Sequence, residues 1–139
     1  MKVSHYIRKL SGKKKNLAEF YLKIFGDGEV NFLRVPARIN LLGTHIEHRG
    51  GYVNYLTIDK ELYCISSKRD DTRIVAYNLD KKYPPVEFDI TTEGMKERVN
   101  WLDFIRKVKI IPGEWGNYIK ASVLYIKNIF GPRNLYGIN

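Results

Sequence analysis

A chain of 139 residues can build one domain with a modest core and no more. Its 44% hydrophobic content, with tyrosine and phenylalanine spread throughout, argues against disorder, and no apolar run approaches the length of a membrane span. The net charge of +9 raises the prospect of nucleic-acid binding, so its distribution matters.

The excess is largely N-terminal: Lys2, Arg8, Lys9, Lys13, Lys14, Lys15 and Lys23 stand against Glu19 alone. A lysine run on a solvated helix or loop is usually a solubilising surface, and few aromatic residues interleave with this one. Helical spacing predicts one helix over residues 3–10 and a second over 16–25. In the second, Leu17, Phe20, Tyr21 and Ile24 share a face, Asn16 can cap the start and Gly26 the end. Both are packing elements, and His5 is expected at the surface.

From Glu29 the pattern changes to short strands at residues 30–35, through the polar stretch described below, and at 52–58. Others follow at 61–67 after an Asp59-Lys60 turn, at 72–77 after an Arg69-Asp70-Asp71 turn, and at 86–90, where apolar and charged residues alternate. Such connections predict an antiparallel or mixed sheet. Cys64, the single cysteine, lies in an apolar run and is expected to be a buried small hydrophobe in a reducing cytoplasm, where an internal disulfide has no second partner.

After Thr91 the chain reads as helical. A short helix is expected around residues 101–105, then a loop closed by Pro112-Gly113. The clearest helix covers 114–130, where Ile119, Val123, Ile126 and Phe130 recur every three or four residues before Gly131-Pro132 stops it. The expected fold class is α+β, a mixed sheet packed by helices in a single domain. Residues 1–27 form a basic helical lead-in, 28–91 the sheet and 92–139 a helical segment.

The densest chemistry lies at residues 34–53. Arg38 and Asn40, two apart on a strand, point to one side. Then come Gly43, Thr44, His45, Glu47, His48 and Arg49, and Gly50-Gly51 permits a turn that other residues resist. A polar face that starts inside a strand and continues through its turn predicts a pocket floor.

This stretch resembles the first motif of the galactokinase branch of the kinase superfamily named for galactokinase, homoserine kinase, mevalonate kinase and phosphomevalonate kinase. The family pattern P-G-R-V-N-L-I-G-E-H-T-D-Y-N-G-G-Y-V aligns without a gap from Pro36 to Val53. The resemblance implies the N-terminal domain of a kinase that uses ATP and Mg²⁺ to phosphorylate the anomeric hydroxyl of a monosaccharide, without a resident metal in these residues. It gives Arg38 an electrostatic role, holding the base carboxylate and facing the charge that develops on the transferred phosphoryl group. It makes His45 and Glu47 sugar-binding residues, with Thr44, His48, Arg49, Gly50 and Tyr52 around them. Trp115-Gly-Asn-Tyr118 resembles the family's W-x-N-Y segment, whose aromatics help wall the adenine site, so Trp115 and Tyr118 are its candidate cofactor-binding residues.

Three departures bear on substrate. The family's Glu is Thr44 and its Tyr-Asn pair is His48-Arg49; both changes raise the local potential and would suit a sugar carboxylate, as in a uronic acid. Glu47, one methylene longer than the usual Asp, should move or shrink the sugar pocket. Residues 66–71 faintly resemble an arginine and acidic pair of the family, although a charged hairpin tip needs no special function. Nothing in the 139 residues matches the Gly/Ser-rich G-L-S-S-S-A loop on which the family cradles phosphates, so this chain alone is expected to be inactive. A non-catalytic sugar sensor and a small basic nucleic-acid-binding module are the alternatives.

Overall fold

We describe residues 1–90, 111–130 and 136–139 of a computed structural model, apart from the side chains of Glu47 and Asn128. The expected helix at 101–105 and the Gly131-Pro132 stop lie outside the described residues.

Two helices open the chain, α1 (Val3–Lys9) and α2 (Gly12–Phe25). The second begins a turn earlier than predicted: its N-cap is Ser11, and Asn16 lies inside it. Lys13, Lys14 and Lys15 are good helix formers and carry the helix back toward α1. Its end is as expected, with Gly26 at φ 81° and its N–H donating to the Leu22 carbonyl. The following turn returns to the start of α1, where the Asp27 carboxylate accepts from the Ser4 N–H and Oγ, both at 2.9 Å. That satisfies an orphan donor of the α1 N-terminus from a distant part of the chain. His5 is only half exposed, and its Nε2 is buried.

Strand β1 (Asn31–Leu42) pairs antiparallel with β2 (Asn54–Ser66), from Asn31 opposite Ser66 to Leu42 opposite Asn54. Both run longer than expected. Pro36 does not end β1, because among the described residues β1 has a single neighbour and an edge strand tolerates a proline. The expected Asp59-Lys60 turn is absent. Pro36 faces Glu61 while Arg38 faces Thr57, so the extra β2 residues form a bulge opposite Ala37. Strands β3 (Arg73–Ala76) and β4 (Val86–Asp89) form a second antiparallel ribbon.

The last residues join the ribbons. Ile138 bridges antiparallel to Lys68 and parallel to Ile74. Ser67 and Asn139 exchange both backbone hydrogen bonds, while the Val75 N–H donates to the Ile138 carbonyl at 2.9 Å. The order is therefore β1, β2, residues 137–139, β3, β4, which gives the expected mixed character.

Two apolar cores sit on this frame. Val3, Ala18, Tyr21, Val30 and Ile65 are buried together, with Tyr6, Leu17, Phe25 and Phe32 against them. Ile74, Phe88 and Ile90 form the other, covered by Ile119 and Val123 of α3 (Gly116–Phe130). Leu124 is fully buried, whereas Ile126 and Phe130, expected on the same face, are 44% and 69% exposed. In their place α3 buries Lys127. Cys64 is exposed, contrary to expectation: it faces Leu33 across the ladder, on the side of the β1–β2 ribbon away from Phe32 and Ile65. No helix among the described residues is long and apolar enough to cross a membrane.

Candidate functional site

Alternation along β1 puts Phe32, Arg34, Arg38 and Asn40 on one face, and the register sets Ile65, Tyr63, Thr57 and Tyr55 opposite them. The N-terminal helices cover the Phe32–Ile65 end of that face. At the other end Arg38, Asn40, Thr44, His45 and Tyr55 line an open cavity of about 280 Å³. The Arg38 guanidinium lies 3.9 Å from the centroid of the Tyr55 ring, a cation–π contact that holds the charge over the cavity. Arg34, four residues earlier on the same face, is paired with Glu61, while Arg38 forms no ion pair among the described residues. The Asn40 Oδ1 is buried without a hydrogen-bond partner among the described residues, an acceptor that a ligand could fill.

The turn that follows is fixed by its own backbone. Gly43 adopts φ 84°, and a Cβ there would lie 2.4 Å from the Tyr52 carbonyl oxygen, so only glycine fits. The Ile46 N–H donates to the Gly43 carbonyl, and the Ile46 carbonyl accepts from the N–H groups of Arg49 and Gly51, each at 3.0 Å. A 3-10 turn, Glu47–Arg49, completes the loop. Within it His45 is the one described non-glycine residue at positive φ, 65°. That conformation costs about 1–2 kcal/mol for a side chain with a Cβ, and here it places the imidazole beside the cavity.

Of the expected site residues, the structure thus brings Arg38, the catalytic candidate, together with Thr44 and His45, two of the substrate-binding candidates. His48, Arg49, Gly50 and Tyr52 are exposed and do not line the cavity, Tyr52 at 98%. The side chain of Glu47 lies outside what is described. Sequence reasoning missed Tyr55 as a site residue, since it enters through its register opposite Asn40, and it noted Asn40 without assigning it a role.

A larger cavity of about 520 Å³ lies between β4 and the start of α3, lined among others by Lys82, Tyr83, Glu87, Trp115 and Lys120. The Trp115 Nε1–H donates to the Pro84 carbonyl at 2.8 Å, and the Tyr83 ring meets the indole edge-on at 6.4 Å. Tyr118, expected to share this wall, does not line it and is 80% exposed. Arg69 and Asp71 of the 66–71 stretch belong to neither cavity: they tie the sheet together.

Residues 19–68 match the family model described as the galactokinase galactose-binding signature. The galactokinase of Lactococcus lactis subsp. lactis (strain IL1403) is 30% identical over 114 residues, covering 80% of this chain and 25% of that protein. The galactokinase of Clostridium perfringens (strain 13 / Type A) is 28% identical over 113 residues, covering 81% of this chain and 29% of that protein. The crystal structure of Lactococcus lactis galactokinase complexed with galactose superposes with a TM-score of 0.62 at 27% identity, covering 86% of this chain and 28% of that one. The chain thus spans about a quarter of the length of the curated relatives it matches.

Proposed function

We propose, from the premise that this chain is a galactokinase-like member of its kinase superfamily, that it supplies the sugar side of an ATP-dependent sugar-1-kinase. The observation that carries this is the convergence of Arg38, Thr44 and His45 on one cavity inside the matched signature. A sugar ring presents hydroxyls that both donate and accept. The cavity answers with the Arg38 and His45 donors, the Thr44 hydroxyl and the unfilled Asn40 Oδ1 acceptor. Glu47, on the 3-10 turn of the same loop, is the carboxylate we assign to a sugar hydroxyl pair, and His48, Arg49, Gly50 and Tyr52 form the outer rim.

In this reading Arg38 faces the transferring phosphoryl group, where a fixed guanidinium stabilises developing charge. ATP and Mg²⁺ are the co-substrate and ion of the complete reaction. The Trp115 indole, walled by Tyr83, suits an adenine ring, and Lys82 and Lys120 add positive charge beside it. Tyr118 would join only as an outer contact. Without a Gly/Ser-rich loop to cradle phosphates, these 139 residues by themselves should not transfer a phosphoryl group. A reducing cytoplasm suits the exposed Cys64 thiol.

Titration of ¹⁵N-labelled protein with D-galactose tests the sugar site. Shifts should appear at Arg38, Asn40, Thr44, His45 and Tyr55; shifts confined to other residues, or none at millimolar sugar, would refute it. Quenching of tryptophan fluorescence by ATP that disappears in Trp115→Phe tests the nucleotide side.

A further inference from the structure

We propose that two copies of this chain pair through the outer face of the β1–β2 ribbon. The face turned away from Phe32 and Ile65 carries three cross-strand pairs, Leu33 with Cys64, Val35 with Leu62 and Ile39 with Leu56. The five aliphatic members are 41% to 62% exposed, and Cys64 is exposed as well. None of the six carries a charge, and none belongs to either apolar core. With Leu41 in the same row they leave about 600 Å² open, the upper end of what a soluble monomer exposes in one patch. Two such faces together bury about 1,200 Å², which suffices for a specific but weak interface.

Charge makes a second copy the fitting occupant. The positive excess lies mainly on the N-terminal helices, which cover the opposite face of the ribbon, so two copies meet where their repulsion is least. Between the Val35–Leu62 and Ile39–Leu56 pairs the bulge carries an acid and a base, Asp59 and Lys60. Both are exposed, and neither forms an ion pair among the described residues. A two-fold contact presents one patch to itself, and a patch with one charge of each sign is self-complementary: Asp59 of one copy can meet the partner's Lys60. Two ribbons stacked about 10 Å apart would bury the aliphatic rows between them as a sandwich does. The Arg38 cavity opens on the other face, so the pairing is independent of the sugar reading.

Sedimentation velocity on the 139-residue protein under reducing conditions, from micromolar to millimolar concentration, tests this. A reversible dimer should appear with a micromolar Kd. Alkylation of Cys64 by iodoacetamide should slow about tenfold across that range as the thiol is covered. Leu62→Lys and Leu56→Lys, both at exposed positions, should stay monomeric and be alkylated at one rate at every concentration. A wild type that remains monomeric to millimolar concentration overturns the inference and leaves the face to a different partner. So does a dimer that survives both substitutions, or one in which Cys64 reacts undiminished, because the copies then meet elsewhere. Should a variant fail to fold, as NMR would show, the wild-type alkylation rates decide the matter alone.

Discussion

Both carboxylate oxygens of Asp71 are taken by the guanidinium of Arg69, at 2.7 Å each, and the backbones of the same two residues hold Gly137. The Gly137 N–H donates to the Asp71 carbonyl and the Arg69 N–H to the Gly137 carbonyl. This clamp fastens the short strand that joins the two ribbons. Hydrogen bonding from Arg69, then from Arg73, holds the Asp71 carboxyl far below the usual carboxylate range.

A carboxyl depressed in the folded state contributes stability that is present above its ordinary value, about 3.9, and lost as the pH falls toward the folded one. Asp71→Asn should therefore melt lower than wild type at pH 7. It should also lose less of its melting temperature than wild type between about pH 4 and 2. Asp27 and Glu61, also depressed by their partners, contribute equally to both proteins, so the difference isolates Asp71. Parallel melting curves across that range would mean the clamp does not form in solution.

Gly137→Ala probes the joint from the other side. A Cβ there would stand 2.4 Å from the Arg73 carbonyl oxygen and 2.7 Å from that of Asp71, both backbone atoms that cannot rotate away. We expect a loss of about 3 kcal/mol, a fall of roughly 10 °C in melting temperature. A melting temperature within a degree or two of wild type would place Gly137 outside the sheet.

The polar motif at residues 36–53 was legible because strand alternation and glycine chemistry are local, and both α2 and the 86–90 strand were visible in their periodicity. What local signals could not give was how long β1 and β2 run. Pro36 and Asp59-Lys60 look like breaks, and only the partner strand shows that a bulge absorbs both. The same blindness hid Tyr55, a site residue by register alone. It also misplaced Cys64, whose apolar neighbours Leu62 and Tyr63 suggest a core, although Leu62 itself is 62% exposed. On α3 the apolar spacing pointed to Ile126 and Phe130, yet the helix turns Lys127 inward because a backbone carbonyl waits there.

His45 separates backbone strain from ligand chemistry. Asparagine tolerates the left-handed region better than most residues and valine hardly at all. His45→Asn should keep the wild-type melting temperature or raise it slightly, and His45→Val should lose about 1–2 kcal/mol. Both should lose the sugar-induced NMR shifts at Arg38 and Asn40. Retained binding in His45→Asn would remove the imidazole from the site while leaving the loop geometry intact.

Lys127 is 4% exposed, and its Nζ donates to the Ile90 carbonyl just beyond β4. Desolvation pushes its pKa down. For a base lowered in the folded state, the cost of carrying charge is present at neutral pH and disappears as the pH rises toward the ordinary lysine value, about 10.4. Lys127→Met keeps the stem's volume and removes the charge, but orphans the Ile90 carbonyl, a penalty of about 1–3 kcal/mol. The two effects oppose each other, so at pH 7 the variant should lie within about 1 kcal/mol of wild type. Lys127→Ala also loses the stem's packing and should be less stable than Lys127→Met by about 2 kcal/mol. Raising the pH from 7 to 9.5 should favour wild type over Lys127→Met in urea melts, because only wild type sheds a buried charge. Equal stabilities for the Met and Ala variants, or no pH-dependent gap, would show that Lys127 reaches solvent instead of capping β4.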